Sequence, residues 1–198
     1  MDEKQWEKLL RIKTTGRDDT NSNFTYFPYE PTSYEVLERL VKSGYIRKKN
    51  TVVDYGCGKG RVSFFLNHEL KCRTIGVEFD ERIYRKAEEN RQSYGTHQKV
   101  EFVCTGAEHF EVQEADRFYF FNPFSLEILK AVMRHILNSF YENPRKLQLF
   151  FYYPNDEYVA YLMTEDMLIF VDEIDCRDLF DGKDEREKIL IFEVDNGV

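Results

Sequence analysis

The stretch VVDYGCGKGR, residues 52–61, holds the residues whose types and spacing speak most clearly of chemistry. Gly56, Gly58 and Gly60 alternate with other residues, and glycine permits tight turns and close approach of a ligand to backbone. A GxG pair alone says little. Here the loop follows an apolar run that reads as a strand and precedes a helical pattern, the setting in which such a loop cradles a nucleoside-bearing ligand. A dinucleotide fingerprint is GxGxxG, and its third glycine lets the helix approach the strand. Counted from Gly56 that position is Arg61, so the spacing is GxGxG instead. Asp54 stands just before the loop, where a carboxylate would repel a pyrophosphate and suit a ligand with an ammonium group. Further on, GVEFD places Glu78 about 20 positions past the loop, where an acid accepts hydrogen bonds from ribose hydroxyls.

A second candidate lies in FYFFNPFS, residues 118–125. Four consecutive aromatics read as a strand buried on both faces. Asn122-Pro123 breaks it, because proline fixes its own φ and cannot donate to a ladder. Ser125 is a suitable N-cap for a helix starting near Leu126. Asn122, Pro123 and Phe124 therefore sit where a buried strand hands over to a helix, the place where ligands bind in open α/β sheets. Asn122 either orients a substrate or only turns the chain. Phe118, Tyr119 and Phe120 are expected in the core, Phe121 and Phe124 on a pocket wall. Tyr152 or Tyr153, in FFYYP, could also line a pocket, with core packing the simpler role.

These residues need a scaffold, and the periodicity supplies one. Helices are expected over 2–12, with Trp6, Leu9 and Leu10 on one side, and over PTSYEVLERLVKSG, where Val36, Leu37, Leu40 and Val41 share a face. Then strands NTVVDYG, CRTIGVEFD, KVEFVCTG, DRFYFFNP and KLQLFFYYP alternate with helices. Two last strands, MLIFVDEID and REKILIFEV, are joined through a turn at Asp181-Gly182. Alternation argues for a parallel sheet covered on both faces, and the closing pair for an antiparallel hairpin. The expected organisation is one domain over 1–198: an N-terminal helix and lid segment in 1–32, then an α/β core in 33–198. The segment RDDTNSNFTYFPYEP is long for a connection without structure, and such loops often serve as lids. A packed static extension is the alternative.

The totals bound the function. The chain has 198 residues, net charge −8 and 16% aromatics. Nucleic acid is not favoured as a partner of so acidic a chain. The four cysteines form no CxxC pair and the histidines are scattered, so neither a metal site nor a disulfide framework is expected. The opening MDEKQWEKLL lacks an apolar signal core, and no run of about 20 apolar residues occurs, so no membrane association and a cytoplasmic location are expected.

VVDYGCGKGR together with GVEFD resembles the cofactor-binding half of the Rossmann-like (class I) S-adenosylmethionine-dependent methyltransferases. The resemblance implies a doubly wound, mostly parallel seven-stranded sheet with a C-terminal antiparallel hairpin and helices on both faces. It implies that Asp54, Gly56, Cys57, Gly58 and Gly60 hold the methionine moiety of S-adenosyl-L-methionine, with Glu78 at the ribose and Phe79 also in contact with the cofactor. FVCTGAEHF resembles the segment lining the adenine, which implies contacts near Ala107 and Glu108. YEPTSY resembles a segment folded over the cofactor, which would bring Tyr29 and Thr32 close. NPF resembles the (Asp/Asn/Ser)-Pro-Pro-(Tyr/Phe) motif of methyltransferases acting on planar nitrogens, shortened by one proline. It implies that Asn122 lies between cofactor and acceptor and that Phe124 stacks on the acceptor. The acceptor itself, small molecule, protein or RNA, is not written in the sequence. The same residues would also serve a cofactor-binding module that regulates a partner without transferring a group, or transfer of an aminopropyl group from a decarboxylated cofactor.

Overall fold

A computed structural model describes residues 1–95, 99–182 and 184–195. Seven strands form one sheet: β1 (Thr51–Tyr55), β2 (Arg73–Glu78), β3 (Val100–Cys104), β4 (Arg117–Phe120), β5 (Gln148–Tyr152), β6 (Leu168–Asp175) and β7 (Lys188–Val194). Their order is β3-β2-β1-β4-β5-β7-β6. The first five run parallel, while β7 pairs antiparallel with β5 and with β6. The order reverses at β1, so the connections leaving β1 and β4 diverge to opposite faces. That opens a crevice beyond their carboxyl ends.

Six helices cover the sheet: α1 (Glu3–Leu10), α2 (Tyr34–Lys42), α3 (Arg61–Leu70), α4 (Glu81–Tyr94), α5 (Leu126–Glu142) and α6 (Asp156–Thr164). Alternation along the strands sorts the core into two layers. Val52, Tyr119 and Phe150 face one side and pack with Leu37, Phe64, Phe65 and Ala87 from α2, α3 and α4. Val53, Phe118, Phe120 and Phe151 face the other and pack with Leu129, Met133 and Tyr158 from α5 and α6. Phe118, Tyr119 and Phe120 are thus core, as the lack of polar interruption predicts, while Phe121 is half-buried at the strand's end.

α1 is shorter than its sequence pattern suggests. Asp2 and Gln5 form a reciprocal capping box at its start, and Arg11 ends it in a left-handed conformation. Trp6 and Leu10 are buried, but Leu9 is 49% exposed, so only two of the three expected apolar residues face the body.

Candidate active site

The loop after β1 takes a shape few residues besides glycine accept. Gly56 has φ 70° and Gly58 φ 56°, both left-handed. The amides of Gly56 and Cys57 donate to the Val77 carbonyl at 2.9 and 3.1 Å, fastening the loop to β2. A side chain on Gly56 would put Cβ 2.4 Å from Cβ of Pro123, and one on Gly58 would put it 2.0 Å from the Tyr29 ring. The loop is therefore the floor on which both the Asn-Pro-Phe turn and the lid segment rest. Glu78, at the end of β2, braces it from beneath. One carboxylate oxygen accepts from the Gly58 amide at 2.9 Å, the other from the Asp80 amide at 2.9 Å.

A cavity lies between this loop, the ends of β2 and β4, and the segment 18–32. Of the residues singled out from the sequence, Tyr29, Thr32, Asp54, Gly56, Cys57, Glu78, Phe79, Ala107, Pro123 and Phe124 line it. Four other candidates lie off its lining. Gly58 is covered by the Tyr29 ring, Gly60 caps α3, Glu108 is bonded by the Tyr26 hydroxyl, and Asn122 faces a neighbouring cleft.

The charges in this cavity are lopsided. Among the described residues, Asp18, Glu30, Asp54, Glu78 and Asp80 share its lining with one cationic side chain, that of Arg61, while Arg82 pairs with Asp18 and Asp80 from outside the lining. Asp54 is 3% exposed, and its Oδ2 is buried with no hydrogen-bond partner among the described residues. Burial, reinforced by the nearby Glu78 charge, pushes its pKa up to about 8. Burial likewise raises Glu78 to about 7, against the pull of its backbone hydrogen bonds. Arg61 is buried and well tied. Its Nε donates to Thr14 Oγ1 at 2.7 Å, one Nη to the Thr32 carbonyl at 3.2 Å and the other to Glu3 at 2.6 Å. Sequence reasoning registered Arg61 only as the glycine that was missing. The readable signal was a cation at the first position of the helix that follows the glycine loop.

The segment 18–32 covers the cavity and is fastened at several points. Asp18 and Tyr29 exchange backbone hydrogen bonds at 3.0 and 2.8 Å. Arg82, in the first turn of α4, grips the Asp18 carboxylate with two bonds of 2.7 and 2.9 Å. The Phe27 amide donates to the Pro123 carbonyl at 3.1 Å, and the Ser125 amide to the Thr25 carbonyl at 2.7 Å. Beneath this cover the Tyr26 ring stacks on Phe79, centroids 3.9 Å apart and planes 23° apart, while its hydroxyl donates to Glu108. A tyrosine thus covers one face of Phe79.

In the Asn-Pro-Phe turn, Asn122 adopts φ 39° and Tyr153, after β5, φ 50°. The Asn122 amide ties these two strained corners together: its Nδ2 donates to the Tyr153 carbonyl, and its Oδ1 accepts from the Asn155 amide at 3.2 Å. Phe124 is 1% exposed and edge-on to Tyr55 and Phe120. Beside the turn opens a second cleft of about 360 Å³, whose lining includes Phe121, Asn122, Tyr152, Tyr153 and Glu187. Tyr152 belongs to both core and cleft, which reconciles the two roles open to it. Phe27, Pro28, Glu30, Pro31 and Phe121 line both spaces and form the partition between them.

Comparison with known proteins places this arrangement. A family model described as a methyltransferase domain matches residues 52–143, from β1 to the end of α5. A protein-lysine N-methyltransferase of Saccharolobus islandicus is 25% identical over 91 residues, which are 46% of this chain and 56% of that protein. A tRNA (guanine-N(7)-)-methyltransferase of Dictyostelium discoideum is 25% identical over 124 residues, 57% of this chain and 44% of that protein. The match thus spans about half the length of these relatives. An RNA methyltransferase of Salinibacter ruber, solved with S-adenosyl-L-homocysteine, shares the fold: the TM-score is 0.56 at 18% identity, over 85% of this chain and 96% of that one. With its reversed strand order at β1, its glycine loop and its closing antiparallel pair, the chain has the Rossmann-like fold of the class I S-adenosylmethionine-dependent methyltransferases, and its residues 52–143 match a methyltransferase domain.

Proposed function

We propose that this chain transfers a methyl group from S-adenosyl-L-methionine to an acceptor presented through the cleft beside Asn122. One observation carries the reading. The buried Asp54 oxygen, with no donor among the described residues and at the floor of the cavity beside Gly56, is a costly arrangement that an ammonium group would satisfy. The other residues fit the remainder of such a ligand. Arg61 suits its carboxylate, Glu78 its ribose hydroxyls, and Phe79 with Ala107 its flat base. When bound, the cofactor supplies an electrophilic methyl carbon on a positively charged sulfur.

The protein need not provide a nucleophile. Its task is to hold the acceptor in line and keep water out. Asn122, Pro123 and Phe124 perform that task as one unit. Pro123 fixes the turn against Gly56, Phe124 anchors it in the core, and Asn122 positions Tyr153 on the acceptor side. The segment 18–32 acts as a lid, and Tyr26 withdraws from Phe79 when a base takes its place. Among the described residues no helix is long and apolar enough to cross a membrane. All four cysteines are free, which supports a reducing, cytoplasmic setting.

Calorimetric titration tests the cofactor. S-adenosylhomocysteine should bind and NAD should not, and the reverse result refutes the assignment. Incubation with methyl-labelled cofactor and fractionated cell extract then tests the transfer. Label in one fraction identifies the acceptor class, whereas tight cofactor binding with no label in any fraction makes the protein a binding module instead.

A further inference from the structure

The cleft beside Asn122 has walls that discriminate between acceptor chemistries. Phe121 and Tyr152 lie 4.7 Å apart at 51°, Phe121 and Tyr153 6.2 Å apart at 86°, and Tyr152 and Tyr153 6.2 Å apart at 53°. A flat heteroaromatic group is best gripped by a face parallel to its own. Three rings tilted against one another make a corner instead, and a corner of ring faces suits a compact cation. One of these rings already attracts a cation within the fold: the Arg186 guanidinium lies 4.3 Å from the Tyr153 ring, held there by Asp184.

The polar groups point the same way. Glu187 lines the cleft half-buried, and one carboxylate oxygen accepts the Tyr152 hydroxyl at 2.7 Å. Its other oxygen accepts no hydrogen bond from the described residues and is available to a donor. Glu30 adds a second carboxylate on the partition shared with the cofactor cavity, where acids already outnumber the lone Arg61. Among the described residues on the cleft lining, the exposed Arg17 is the one cationic side chain, and Arg186 lies behind Tyr153, paired with Asp184. A phosphate-bearing acceptor would have to approach this concentration of negative charge.

The geometry points to an alkylammonium group held in this cleft, its carbon chain against Phe121, Tyr152 and Tyr153 and its N–H donated to Glu187. To accept a methyl group it first gives that proton to the Glu187 carboxylate; the freed nitrogen lone pair then bonds to the methyl carbon as the carbon–sulfur bond breaks, and S-adenosylhomocysteine leaves with the electron pair on sulfur. That this is the acceptor side of a transferase rests on the reading above; that the cleft binds an alkylammonium does not. A lysine side chain on a peptide and a free alkyl amine present the same chemistry.

Titration of the unliganded full chain, followed by NMR, separates the possibilities. The probes are n-butylammonium chloride, the methylamide of Nα-acetyl-lysine, n-butanol as a neutral isostere, and cytidine monophosphate as a flat anion. The two ammonium probes should give saturable shifts at Phe121, Tyr152, Tyr153 and Glu187. n-Butanol should bind about tenfold more weakly or worse, because the cation–π and charge-assisted terms are gone. Glu187→Gln should weaken n-butylammonium by about tenfold. Its affinity for S-adenosylhomocysteine should match wild type, which also shows that the variant is folded. Tyr152→Phe keeps the ring and frees Glu187, and should cost about threefold, at the low end for a lost hydrogen bond. The tighter of the two ammonium probes identifies the source. Equal binding of n-butanol, preference for cytidine monophosphate, or indifference to Glu187→Gln overturns the proposal. If S-adenosylhomocysteine binds and n-butylammonium does not, this inference falls alone. The opposite pattern removes the cofactor reading and leaves the cation site standing.

Discussion

Asp54 should release a proton when the cofactor binds. Its folded pKa, about 8, lies well above the ordinary carboxylate value because the group is buried beside Glu78. At pH 6.5 such a group is about 97% protonated, at pH 8 about half and at pH 9 about a tenth. An ammonium group at its unpartnered oxygen favours the ionised form, so binding should expel about one proton at pH 6.5 and about 0.1 at pH 9. Glu78, at about 7, adds a fraction of a proton at the lower pH if ribose hydroxyls stabilise its charge. The assay is titration calorimetry of S-adenosylhomocysteine in buffers of differing ionisation enthalpy at each pH. The slope of observed enthalpy against buffer enthalpy counts the protons. Log affinity should also rise by about one per pH unit between roughly pH 6 and 7.5. Asp54→Asn should lower the count by about one at pH 6.5. A zero slope in the wild type, or the same slope in Asp54→Asn, refutes the placement of the ammonium group. The same shift has an opposite face for the free protein. A carboxyl raised on folding stabilises the fold fully below its unfolded pKa, near 3.8, and loses that contribution as pH rises through about 8. The unliganded chain should therefore melt higher at pH 6 than at pH 9, and Asp54→Asn should flatten that dependence.

Tyr26→Ala should tighten S-adenosylhomocysteine binding by about tenfold, since a stacked ring and a hydrogen bond no longer compete for Phe79. Weaker binding would mean that Tyr26 is part of the bound site. Gly58→Ala forces Cβ into the Tyr29 ring at a left-handed φ, so hydrogen exchange in 18–32 should accelerate and the melting temperature should fall. Unchanged exchange would separate lid and loop. Asn122→Ala should destabilise the fold by about 1–3 kcal/mol by releasing the corner after β5, and should raise the acceptor's KM while leaving S-adenosylhomocysteine affinity intact. Loss of cofactor affinity instead would place the asparagine amide on the cofactor.

The parts of the site legible from sequence are those built from contiguous residues. β1, its glycine loop and the start of α3 occupy one unbroken stretch, and Glu78 follows one strand later, so local spacing carried their meaning. The strand of four aromatics was equally local. What the sequence hid depends on contacts between distant segments. Asp18 meets Arg82, Thr14 meets Arg61, and Tyr26 reaches Phe79 and Glu108, pairings that no periodicity announces. Asn122 was visible as a candidate, but its bonds to Tyr153 and Asn155 come from a turn beyond the next strand. Leu9 was misplaced for another reason. A helix of eight residues is too short for its apolar spacing to fix which side faces inward.

Trp6 is the only tryptophan in the chain. It is buried against Tyr34 and Phe65, with its indole N–H donated to Glu38 at 3.1 Å. Neither cavity includes it in its lining. Its fluorescence should therefore sit at short wavelength while α1 is docked and shift to the red when α1 detaches, whatever fills the crevice. One connection links it to occupancy. Arg61 touches Glu3 on α1 with one end and stands on the cavity lining with the other. A change in emission on adding ligand, without unfolding, would be the optical trace of that guanidinium trading a carboxylate of its own chain for one on the ligand.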